Sequence, residues 1–134
     1  MKRNLLFFLL FIAFLAPSTH RAWGQSAVYY CPEMGAVGYS FSNDETGHDL
    51  KKIKQIALKQ CQDMGGKSCA LVYASTRVGW GGLVRGKDAA GSTIIFGVGH
   101  QLNERFAISE LKRKYLAADG IELNDVLMIT WQAE

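Results

Sequence analysis

Apolar residues recur at three- and four-residue spacing through Leu50, Ile53, Ala57, Cys61 and Met64, while Lys51, Lys52, Lys59 and Gln62 fall largely between them. That period marks one face of an amphipathic α-helix. Thr46 or Asp49 carries the side-chain oxygen to cap its start, and Gly65-Gly66 supplies the left-handed residue that stops it. The next stretch, CALVYAS at 69–75, has the Leu, Val and Tyr content of a strand. Before the helix, GAVGYSF at 35–41 reads as another.

The same plan returns later in the chain. STIIFGVG at 92–99 reads as a strand, Ala107, Leu111, Tyr115 and Ala118 give the apolar stripe of a helix from about 103 to 118, and DVLMITW at 125–131 reads as a strand. Gly120 is placed to end this helix as Gly65 ends the first. The period of this weak β-α-β duplication, from Gly35 to Ser92, is about 57 residues. SAVYY at 26–30 and WGGLVRG at 80–86 add a strand or hairpin arm each. The expected fold is α+β: an antiparallel or mixed sheet with two helices on one face.

The N-terminus changes how the charge is read. Lys2 and Arg3, the apolar run Leu5 to Leu15 and the small residues Ala22 and Gly24 form the pattern of a secretory signal peptide, residues 1–24, leaving one domain at 25–134. The run is short of the roughly 18 apolar residues a helical span needs, so no membrane anchor is expected after cleavage. Lys2, Arg3 and Arg21 leave with the leader. The chain's 15 basic residues thereby fall to 12, which matches its 12 acidic residues. A neutral, exported domain argues against nucleic acid as a partner.

Export also sets how the three cysteines are read. Cys61 falls in the last helical turn and Cys69 at the start of the returning strand, so in an oxidising compartment they are expected to form a disulfide. Closing so short a loop stabilises by about 2–3 kcal/mol. The spacing is not that of a redox C-x-x-C motif, and zinc would require further ligands. Cys31 is left over. It is a free thiol, a competitor for Cys61 or Cys69, or the link of a dimer.

With GAVGYS, Ala57-Leu58-x-x-Cys61, Gly66-x-x-Cys69 and WGGLV in place, the chain resembles a family of small exported bacterial proteins catalogued only as a domain of unknown function, built on A-L-x-x-C and G-x-x-C units. The resemblance covers about residues 35 to 131. It implies the Cys61–Cys69 bond and a duplicated fold, and it brings no catalytic residues or cofactor. The second unit departs from it, with Leu116 and Asn124 standing about where cysteines would be. Some small exported domains of this kind look like immunity proteins that protect bacteria from toxins delivered into the periplasm.

No nucleophile elbow, zinc-binding helix motif, phosphate loop or dinucleotide fingerprint is present, and no cofactor is expected. His48 and His100 each precede a helix, with Asp44, Glu45, Asp49 and Glu104 nearby. A metal or acid–base site would require them to converge. The segment Thr76 to Ser92 is the stronger surface candidate, because glycines flank Trp80 while Arg77, Arg85 and Lys87 surround it with cations. That composition suits a protein-binding hot spot, or a platform for a sugar ring if Trp80 is open. A Trp buried in the core is the competing reading. The expected function is therefore a periplasmic or secreted, non-enzymatic binding protein, an inhibitor or immunity protein that blocks an antibacterial effector through Arg77, Trp80, Arg85 and Lys87. The alternative is a small cell-wall hydrolase or glycan-binding module.

Overall fold

The computed structural model describes residues 24–121 and 126–134, so the expected leader up to residue 23, and Asn124, lie outside the described residues. The described residues form eight elements in order: β1 (Ser26–Cys31), β2 (Ala36–Phe41), α1 (Leu50–Asp63), β3 (Ala70–Ser75), β4 (Gly79–Lys87), β5 (Thr93–Gln101), α2 (Glu104–Ala117) and β6 (Leu127–Ala133). Strand β1 pairs antiparallel with β2 and β3, and β4 pairs antiparallel with β5 and β6. The expected α+β class is what the chain adopts. The duplication is complete, because each half is strand, strand, helix, strand, with its first strand central in orders β2-β1-β3 and β5-β4-β6.

The arrangement of layers differs from a single sheet with both helices on one face. There are two sheets, and each carries its own helix: α1 packs on β1 and β2, α2 on β4 and β5. The uncovered sheet faces meet, β3 opposite β5 and β2 opposite β6, which puts the helices on opposite outer sides. The cause lies in the central strands, whose two faces are both apolar. In β1, Ala27 packs under α1, whereas Val28 and Tyr30 join Val37, Leu83, Trp131 and Ala133 between the sheets. A strand with two apolar faces requires cover on both sides. Trp131 stacks with Tyr39 at 5.6 Å and with Phe41 at 6.0 Å between ring centroids, and each such pair adds about 0.5–1.5 kcal/mol beyond burial.

The helices are placed by close backbone approach. A Cβ on Gly38 would stand 1.9 Å from the Ala57 carbonyl oxygen and 2.5 Å from the Cys61 nitrogen, so α1 lies directly on the β2 backbone and only glycine fits there. Ile53, Ala57 and Cys61 form its buried stripe; Met64 stands outside it as the exposed C-cap. Asp49 caps the start by accepting from the Lys51 amide at 2.9 Å, while Thr46 is engaged in the preceding turn through the Phe41 carbonyl. In α2, Asn103 accepts from the Phe106 amide at 3.0 Å, and Ala107, Leu111 and Tyr115 are buried.

Candidate binding groove

The four residues selected for partner binding do not share a loop. Trp80, Arg85 and Lys87 fall along β4, which is paired on both sides, and Arg77 precedes it. Arg77 is exposed in the link before β4, while Trp80 is half-buried against the cluster that holds Val84, Ala107 and Leu111 beneath α2. Five residues further on, at about 3.3 Å per residue, Arg85 lies roughly 16 Å away at the other end of the strand. The glycines that suggest a loop serve packing instead: a Cβ on Gly81 would meet the Trp131 ring at 2.6 Å, and one on Gly82 would meet Leu111 at 2.8 Å.

Arg85 and Lys87 do come together, in a groove of about 610 Å³. One wall is the end of β1 and the turn after it, with Tyr30, Pro32, Met34 and Gly35; the other is Arg85, Gly86, Lys87 and Thr93 from β4 and β5, with Val126 beside them. The groove thus lies between the two units. Arg85 bridges it by donating from its guanidinium to the Gly35 carbonyl. The Lys87 wall is braced from behind, because its carbonyl accepts from the Ile121 amide at 3.1 Å and lies 3.1 Å from the Tyr115 hydroxyl. The hairpin beyond Lys87 is tied by Asp88, whose carboxylate accepts from the Ala90 and Ser92 amides at 2.9 Å each. Among the described residues, neither Arg85 nor Lys87 forms an ion pair; the pairs present are Lys59–Asp63 and Arg113–Glu110, both on helix surfaces.

The cysteines lie behind the first wall. Cys61 and Cys69 are bonded with their Cα atoms 6.3 Å apart, as expected from the sequence. Cys31 is a free thiol that is fully buried, and its sulfur donates to the Glu33 carboxylate at 3.1 Å. A dimer through Cys31 would therefore require the β1–β2 turn to open.

The histidines belong to different units. His48 is in the link between β2 and α1, and His100 is in β5 with its Nδ1 3.0 Å from the Val78 carbonyl oxygen. Of the acids near them, Asp49 is engaged as the cap of α1, and Glu104 accepts from the Thr130 hydroxyl at 2.7 Å. Among the described residues, no three of His, Cys, Asp and Glu are grouped to hold a metal ion. No helix among them is long and apolar enough to cross a membrane.

Sequence reading missed the wall formed by Tyr30, Pro32, Met34 and Gly35. The Pro-Glu-Met-Gly run after an apolar strand signals a turn, but its facing Arg85 is a contact across 50 residues. No family model, curated protein or solved structure matches the chain.

Proposed function

We propose that the chain is an exported, non-catalytic binding protein that receives an acidic segment of a partner protein in the groove between its two units. The observation that carries this reading is the pair Arg85 and Lys87, two cations without a carboxylate partner among the described residues, set beside Tyr30, Pro32 and Met34. Such a surface favours a carboxylate next to an apolar side chain, since the two cations attract opposite charge while Tyr30, Pro32 and Met34 offer apolar area beside them. The intramolecular disulfide supports an oxidising compartment. An inhibitor or immunity protein that covers an acidic surface of an antibacterial effector is the concrete form of this reading. Its walls are pre-formed, so little ordering entropy is lost on docking. The cell-wall alternative draws on His48 and His100, which lie in separate units, and on Trp80, whose ring packs against the α2 cluster.

The test is a titration of the isotope-labelled protein, isolated after export, with a peptide that carries Phe between Asp and Glu residues. Amide shifts are expected at Tyr30, Gly35, Gly86, Lys87 and Thr93. Lys87→Glu is expected to weaken binding at least tenfold, about 1.4 kcal/mol, while Arg77→Glu at the far end of β4 leaves it within about twofold. Shifts centred on Arg77 and Trp80, or none at millimolar peptide, would overturn the groove as the site.

A further inference from the structure

We propose that the Cys61–Cys69 disulfide exchanges with the Cys31 thiol, moving the bond to Cys31–Cys69 and resetting one wall of the groove. The sheet register places the partners. Strands β1 and β3 pair Tyr29 with Leu71 and Tyr30 with Ala70, so the next opposed pair, one step beyond the ladder, is Cys31 and Cys69. Directly opposed residues on antiparallel strands hold their Cβ atoms about 4.5–5.5 Å apart, a small closure away from the 3.5–4.5 Å of a disulfide. A second observation agrees. A Cβ on Gly66 would stand 2.4 Å from the Cys69 sulfur and 3.0 Å from the Cys31 Cβ, so those two atoms are no further apart than these distances combined. Cys31 and Cys61 are both fully buried in one cluster, with Cys69 packed against it.

The chemistry balances within the chain. Glu33, already accepting the Cys31 hydrogen, takes the proton as the Cys31 sulfur attacks the Cys69 sulfur. One S–S bond forms, the Cys61–Cys69 bond breaks, and its electron pair leaves on the Cys61 sulfur. Glu33, through solvent, returns the proton to that thiolate, and no net oxidation occurs. The released thiol has an acceptor in place, since the Cys61 sulfur lies 3.5 Å from the Ala36 carbonyl oxygen.

The exchange frees the end of α1 from β3 and fastens the end of β1 to it. Pro32, Met34 and Gly35 follow Cys31 directly and line the groove, so the position of the bond sets that wall. This consequence rests on the groove reading; the exchange itself does not.

The experiment holds the oxidised full chain, as isolated, between about pH 6 and about pH 9, across the ordinary thiol range near 8.5. Free thiols are trapped by rapid alkylation, and the disulfide-linked peptides are mapped without reduction. A Cys31–Cys69 peptide is expected beside Cys61–Cys69, forming at least tenfold faster at the upper end. Glu33→Gln is expected to slow its formation several-fold at the lower end. In a Cys61→Ala chain refolded in a glutathione redox buffer, Cys31 and Cys69 are expected to pair. A folded Cys61→Ala chain that keeps two thiols, or wild-type protein that yields only Cys61–Cys69 at every pH, overturns the proposal. If Cys61→Ala does not fold, the wild-type series decides alone. None of these readouts involves a partner, so their failure leaves the Lys87 titration standing, and failure of that titration leaves them standing.

Discussion

Reducing the Cys61–Cys69 bond, in a Cys31→Ser background that prevents exchange, is expected to lower stability by about 2.5 kcal/mol at 25 °C. The figure follows from the loop-closure entropy for a sequence separation of 8 residues. Reduction deletes no atoms from the core. The end of α1 also keeps its own hydrogen bonds, from the Gly66 amide to the Cys61 carbonyl at 3.0 Å and from the Met64 amide to the Gln60 carbonyl at 3.1 Å. The folded state therefore keeps its shape, and the change resides mainly in the unfolded chain. Serine at position 31 retains a hydroxyl that can donate to Glu33, so the background substitution leaves that carboxylate with a donor. Urea unfolding followed by the fluorescence of buried Trp131 measures the effect, and with a slope of about 1–3 kcal/mol/M the midpoint should fall by roughly 0.8–2.5 M. A loss below about 1 kcal/mol, or a reduced folded protein that has lost helix by circular dichroism, would refute the reasoning, because either result places the effect elsewhere than in unfolded-chain entropy.

Tyr115→Phe is expected to cost about 1 kcal/mol, because the Ile121 carbonyl loses its 2.6 Å bond while the Lys87 carbonyl keeps the Ile121 amide; a thermal melt should fall by about 4–8 °C, and no change would mean that water replaces the hydroxyl. Tyr73 carries the pH dependence: burial raises its phenol above the ordinary value of 10.0, partly offset by a hydrogen bond with Ser75. A raised folded value means that its contribution is fully present below about pH 10 and is lost as pH rises through the folded value. Unfolding midpoints should fall above that pH in wild type and less steeply in Tyr73→Phe, and parallel curves would remove Tyr73 as the cause.

Both helices were legible in the sequence because their signals are local: a three- and four-residue stripe in each, a capping oxygen at Asp49 for the first, and glycine beyond the end. The strands were legible for the same reason. The division into two sheets was not, because a strand's pattern shows which faces are apolar and not which strands it joins; Ser26 pairs with Phe41 on one side and Ser75 on the other. Strand β4 was legible as a strand or hairpin arm at 80–86, but its place as a central strand was not, because the reason for its glycines, the nearby Trp131 and Leu111 side chains, is tertiary. Arg85 and Lys87 were visible as cations, and Cys61–Cys69 as a short-range clamp. The facing wall at Tyr30 to Gly35 and the cross-strand opposition of Cys31 and Cys69 depend on long-range register that no local pattern carries.

The two units solve one packing problem by different chemistry. From Asp49 to Asn103 the helices correspond at an offset of 54 residues, which carries Ile53, Ala57 and Cys61 onto Ala107, Leu111 and Tyr115. The counterpart of Cys61 is thus Tyr115 rather than Leu116, which is exposed. The same offset relates Gly65 at φ 93° to Asp119 at φ 60°, and Gly66 to Gly120, whose amides bond to the Cys61 and Tyr115 carbonyls at 3.0 Å each. A Cβ on Gly66 would strike the Cys69 sulfur, and one on Gly120 would strike the Tyr115 ring at 2.5 Å. Each glycine therefore keeps open a space, filled by sulfur in one unit and by a phenol in the other. The phenol ends in a hydroxyl 2.6 Å from the Ile121 carbonyl oxygen, a hydrogen-bonded tie of about 1 kcal/mol where the first unit has a covalent one of about 2.5 kcal/mol. The difference is chemical as well as energetic. The phenol's one proton can serve the Ile121 or the Lys87 carbonyl without any change in covalent bonding, whereas in the proposed exchange the bond to Cys69 passes from Cys61 to Cys31. The Lys87 side of the groove, backed by Tyr115, is consequently the fixed wall, and the Cys31 side is the one whose position a bond exchange can set.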